Sequence, residues 1–200
     1  MGNQAGINYA VEYLEADYII IANPDIHVTS RCIKRVKQAL DNTEGAVMAS
    51  ARVTDPQGKD LFSYWTLLPL WKDLLDTGLI TRRLFKDMLN TPPYRLPNAG
   101  DEGSRLVDAV PGSFFMLKPG LLTPQDIEGL FDSRIFLYYE EKVLGRKFQE
   151  MGLKTVLVTD ESYVHAHSAT IDKSLKRMVD KQRLLHQSKL YYYREYLHAG

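Results

Sequence analysis

Residues 17–22 (DYIIIA) form an unbroken apolar run rich in β-branched side chains, and Asn23-Pro24-Asp25 stops it. Such a run fits a strand covered on both faces of a parallel sheet. Proline withholds a ladder donor and pushes its predecessor towards extended geometry, so the polar tripeptide sits in a loop at the strand's carboxyl end. The flanking segments have the other period. Ile7, Ala10, Val11 and Leu14 recur at three- and four-residue spacing, which predicts an amphipathic helix over 4–15. Thr29 or Ser30 caps a second helix to about Leu40, 41–45 ends it, and 46–53 form another strand. Alternating strands and helices point to an α/β layer architecture, here a mixed sheet flanked by helices.

The pattern continues less cleanly. After a turn at 55–58, the leucine- and aromatic-rich residues 61–89 have no single period and read as mostly helical or irregular. Residues 91–104 carry Pro92, Pro93, Pro97, Gly100 and Gly103 and read as a loop. Residues 106–117 read as buried extended pieces broken at Pro111-Gly112, and 124–130 as a short helix. Glu140-Glu141 open a helix to about Met151, with Gly152 at its C-cap. Residues 155–158 make a last core strand, 160–170 a loop carrying His165 and His167, and 172–197 a helix.

Composition narrows the function classes. Lys plus Arg (25) cancel Asp plus Glu (25), so no global field recruits nucleic acid, and a nucleic-acid partner is not expected. With 44% apolar residues the 200-residue chain is too hydrophobic for disorder. The single cysteine, Cys32, has no internal disulfide partner, and no apolar stretch reaches the roughly 18–20 residues that cross a bilayer. A cytoplasmic protein, at most peripheral to the inner membrane face, is the expectation.

Three polar clusters each follow an expected strand: Asn23-Pro24-Asp25, Glu140-Glu141, and His165-Ala166-His167-Ser168. Ligands of open α/β sheets collect outside the carboxyl ends of strands, so clusters far apart in sequence can converge there. Read alone, Asn-Pro-Asp is a turn, the glutamates are N-terminal helix charges, and the histidines are solvated loop residues.

The words GN-x-x-GI-x-x-A at 2–10, YIIIANPDI at 18–26, VDAVPGSFFML at 107–117, FD-x-x-x-FLYYEE at 131–141 and VHAHSAT at 164–170 occur in that order. Together they resemble the family 2 glycosyltransferases with the GT-A fold, in the rhamnosyltransferase-like and polysaccharide-biosynthesis branch. The resemblance implies a GT-A-like domain over 1–171, lacking the usual N-terminal nucleotide-binding segment, with an amphipathic helix over 172–200 packing on it. It implies sugar transfer from a nucleotide-sugar donor to a glycan or lipid-linked acceptor by metal-assisted inverting displacement, in cell-surface polysaccharide synthesis. Asp25 matches the metal-holding aspartate of the DXD-like element, and Asn23 the loop's first polar position. Gly112 and Ser113 match the loop beside the donor sugar. Glu141 matches the general base and Glu140 its neighbour, while His165 or His167 matches a late metal or phosphate contact. The cation would be Mn²⁺ or Mg²⁺, which take carboxylate oxygens, with imidazole better tolerated by Mn²⁺.

The sequence departs from the family pattern at Glu141, where aspartate is usual, and at Val143, where many relatives carry another acid. Without the family's first strand, residues 18–22 should present an open sheet edge, which invites pairing with a second copy or a partner chain. The alternative function is therefore a catalytically silent partner or glycan-binding subunit of a complete transferase. The tail over 172–195 has seven cations against three acids. It reads either as a solvated helix packing on the domain or as a weak dock for anionic lipid.

Overall fold

The computed structural model describes residues 2–76, 79–89, 103–132, 134–135, 139–166 and 175–197. The expected helix–strand–helix–strand opening is present as α1 (Gly2–Leu14), β1 (Ile19–Ala22), α2 (Ser30–Asn42) and β3 (Ala46–Thr54), with a two-residue strand β2 (Ile26–His27) after the Asn-Pro-Asp loop. Thr29 is the N-cap of α2: its hydroxyl accepts from the Cys32 amide at 3.1 Å. Then follow α3 (Leu70–Leu75), α4 (Leu79–Leu84), β4 (Ser104–Val107), β5 (Phe114–Leu117), α5 (Pro124–Glu128), α6 (Glu140–Glu150), β6 (Lys154–His165) and α7 (Leu175–Tyr196).

The sheet is mixed, in the order β1-β5-β3-β6-β2, with β4 also paired to β6. The β3 and β6 strands run parallel at its centre, and β5 runs antiparallel to both β3 and β1. Period-two alternation splits β5 between two cores. Phe114 and Met116 pack with Cys32, Val36 and Leu40 of α2 on one face. Phe115 and Leu117 pack with Ile7 of α1, Ile127 of α5, and Leu144 and Phe148 of α6 on the other. The result is a helix–sheet–helix sandwich. A third cluster joins Ile135, Val143 of α6, and Tyr192 and Tyr193 of α7.

Three expectations are corrected. The isoleucine run is not a doubly covered parallel strand: β1 pairs antiparallel with β5 at the sheet edge, and Ile20 is 42% exposed. An unbroken apolar run cannot distinguish a central strand from an edge strand whose outer residues stay half-wet. Next, His165 is not in a loop, because β6 continues to it. The ladder to β3 jumps from Ala51 opposite Val158 to Arg52 opposite Ser162, so polar residues 159–161 bulge out and the strand resumes. Arg52 Nε donates to the Thr159 carbonyl at 2.8 Å, and Arg35 pairs with Asp160 at 2.9 Å, which fixes the bulge. Finally, the first extended piece near 106 begins at Ser104, in the expected loop, and is not buried: Leu106 faces solvent.

One close approach needs glycine. A Cβ at Gly145 would collide with the Asp108 carbonyl, so only glycine lets α6 lie against that segment.

Candidate active site

The carboxyl ends of β1, β3 and β6 and the amino end of β5 lie at one end of the sheet, as their registers require. Six expected residues are joined in pairs there by direct bonds. The Asn23 amide donates to the Ser113 carbonyl at 2.8 Å, which joins the β1 loop to the turn before β5. Asp25 Oδ1 lies 3.3 Å from His165 Nε2, and the Ala166 amide donates to the Asp25 carbonyl at 3.0 Å. Pairing of Ile26 with His165 across β2 and β6 holds that couple in register.

The second half is built around α6. The Gly112 amide donates to Glu141 Oε1 at 3.3 Å. A Cβ at Gly112 would stand 3.3 Å from that same oxygen, so the glycine lets the carboxylate come close. The Ser113 hydroxyl and the Tyr163 phenol are 2.7 Å apart, tying this turn to the strand that carries His165. Bonds therefore run from β6 through Ser113 and Gly112 to Glu141. His167 lies outside the described residues.

The electrostatics of the glutamate pair run against their position. A helix N-terminus favours carboxylate charge. Burial nevertheless pushes the Glu140 carboxyl up to about 7, with Glu141 beside it adding to the shift. Burial likewise raises Glu141, despite the amide bonds and the Lys142 charge that favour its ionised form. Desolvation is the dominant cause at both. The residue before them, Tyr139, has φ 67°, in the left-handed region. That geometry costs roughly 1–2 kcal/mol for a non-glycine residue. Its ring packs on Tyr192 at 5.2 Å and its hydroxyl donates to Asp73 Oδ2 at 3.3 Å.

Two contributors were not visible in the sequence reading. Tyr163 is buried and shares a strand face with His165 two residues on, but a loop reading of 160–170 hides that period. Asp73, 1% exposed, anchors Lys142 Nζ at 2.6 Å, the Tyr193 hydroxyl at 2.7 Å and the Tyr139 hydroxyl. Those partners lie 69, 120 and 66 residues away, and no local signal announces them.

As a donor set, Asp25 and His165 offer one carboxylate and one imidazole side by side, which suits a divalent cation. Among the described residues, no three His, Cys, Asp or Glu side chains are grouped to hold a metal ion. No protein-family model matches the chain, and no curated protein shows significant similarity to it.

Proposed function

We propose that this chain carries a GT-A-like glycosyltransferase site that moves a sugar from a nucleotide-sugar donor to a glycan or lipid-linked acceptor with inversion. The observation that supports the reading is the meeting of Asn23, Asp25, Gly112, Ser113, Glu141 and His165 at one end of the sheet through bonds among them. Asp25 and His165 would hold Mn²⁺ or Mg²⁺, whose charge offsets that of the departing nucleoside diphosphate.

The chain's own groups do the rest. Glu141 accepts the proton of the acceptor hydroxyl, a task typically worth ~10²–10⁴-fold. Its raised proton affinity makes it a stronger base than a solvated glutamate. Glu140, on the same first turn, has its own proton affinity raised by burial and by the Glu141 charge, and Tyr139 fixes the direction from which the turn enters. The Gly112 amide donates to the carboxylate, and the Ser113 hydroxyl is held at the Tyr163 phenol.

Titration of the chain with UDP, GDP and dTDP in the presence of Mn²⁺ tests this reading. One of them is expected to bind, Asp25→Ala to abolish the binding, and Glu141→Gln to leave binding intact while removing transfer. Glycan binding without binding of any nucleotide would replace the enzyme with a silent partner subunit.

A further inference from the structure

The two short helices α3 and α4, with the turn that follows α4, carry a concentration of exposed apolar side chains. Among the described residues, six of the fifteen exposed large hydrophobic ones fall between 71 and 88: Trp71, Leu74, Ile80, Leu84, Phe85 and Met88. Ile80 and Leu84, 76% and 72% exposed, are more exposed than any other large hydrophobic residue described. Monomeric soluble surfaces scatter such residues singly, so this crowding calls for an occupant.

Charge selects the occupant. Arg83 and Lys86 of this segment are exposed, and Lys72 lies over the Trp71 ring at 5.3 Å. The acids point elsewhere: Asp73 is buried against Lys142, and Asp76 pairs with Arg82 at 3.3 Å. Only Asp87 is an exposed acid here. The surface therefore offers apolar knobs, an indole and outward cations together, the composition that binds at a headgroup boundary: apolar tips enter the acyl edge and cations stay with lipid phosphates.

We infer that the α3–α4 surface docks this protein on an anionic lipid bilayer. The anchoring of this surface favours a rigid dock. Thr81 Oγ1 donates to the Leu75 carbonyl at 2.6 Å, and the Arg82–Asp76 pair ties the start of α4 to the end of α3. Asp73, on the inner side of α3, bonds Tyr139 and Lys142, which flank the Glu140-Glu141 pair. Docking thus brings the candidate active site to the membrane, although binding itself does not depend on the sugar-transfer reading. The site differs from the sequence expectation for the tail: within α7, Tyr192, Tyr193 and Ser188 are buried and Lys189 turns inward to Asp73 at 3.7 Å.

Flotation of the purified chain with phosphatidylcholine vesicles, with and without phosphatidylglycerol, tests the inference. Binding is expected only to the phosphatidylglycerol vesicles, weakening as salt rises. Each of Arg83→Gln and Lys86→Gln should weaken it about fivefold. Ile80→Glu with Leu84→Glu should weaken it at least tenfold, and these exposed positions leave the fold intact by circular dichroism. The exposed α7 substitution Leu190→Glu should change nothing. Equal binding to both vesicle types, wild-type binding by the Ile80/Leu84 variant, or loss through Leu190→Glu alone would overturn the inference. So would self-association without vesicles that Ile80→Glu and Leu84→Glu abolish, since a second copy would then be the occupant.

Discussion

Two carboxylate centres, buried Asp73 and the half-buried Glu140-Glu141 pair, adjoin the first turn of α6 and behave in opposite ways. Burial alone would raise Asp73, but Lys142, Tyr193 and Lys189 outweigh it and hold the carboxyl below the usual carboxylate range. At Glu140 and Glu141 burial outweighs what compensation there is, and both sit above that range. Lys142, the very next residue, turns to Asp73 at 2.6 Å and not to either glutamate. Desolvation is common to both centres, so partners decide the sign. The fold compensates the charge that fastens α3, α6 and α7 together, and only partly compensates the glutamate pair, whose second member meets the Gly112 amide. Structural sites tend to satisfy their charges, whereas groups poised to exchange protons keep a shifted affinity.

The sharpest way to break this comparison is to remove Asp73. Asp73→Ala strands Lys142 and leaves Lys189 and two tyrosine hydroxyls without their acceptor in a buried site, a loss of about 3–5 kcal/mol. Urea unfolding should show it as a lower midpoint with an unchanged slope. Replacing Asp73 and Lys142 together by Leu and Met should cost far less, since an apolar pair of similar volume often matches a buried ion pair. If the double variant were as unstable as Asp73→Ala, packing and not charge would be what Asp73 supplies.

That comparison also explains which parts of the structure were legible in sequence. The α2 cap, the β3 strand and the Gly152 turn follow from local rules: a hydroxyl before an amphipathic run, a largely apolar stretch after the break at 41–45, a glycine with φ 71° after a helix. The convergence of Asn23, Asp25 and His165 was legible because strand ends share one end of a sheet. Asp73 was not, because a carboxylate in a leucine-rich stretch gives no sign that a lysine 69 residues later will meet it. The extension of β6 failed for another reason. Thr159, Asp160 and Glu161 break the alternation, and partners distant in sequence hold that bulge: the Arg31, Arg35 and Arg52 side chains and the Gly103 carbonyl.

A middle-sized effect separates the two centres by pH. Glu140 has its proton affinity raised by folding, so its contribution to stability is full below the ordinary glutamate range and is lost as pH climbs towards about 7. Asp73, held low, contributes in the opposite sense: its stabilisation is present above the usual carboxylate range and fades as pH falls. Glu140→Gln should therefore stabilise the protein at pH 8 by roughly 1–2 kcal/mol, after allowing for solvent screening of a half-buried group, and should flatten the stability curve between pH 5 and 7. Thermal melts across that range read both. A curve unchanged by Glu140→Gln would mean that the glutamate pair is as well compensated as Asp73.

The smallest effect is expected at a third carboxylate centre, Asp25, and it sharpens the contrast from the other side. Its bond to His165 spans 3.3 Å between partly solvated groups, so Asp25→Asn should shift stability by no more than about 0.5 kcal/mol, or roughly 2 °C in Tm. A contact that contributes so little to folding is free to exchange one partner for a cation. Added Mn²⁺ should then raise the Tm of the wild type and leave that of Asp25→Asn where it was, because a ligand stabilises only the state that binds it. A large loss of stability in Asp25→Asn without metal would instead place this pair beside the Asp73 centre, as a fastening of β2 to β6.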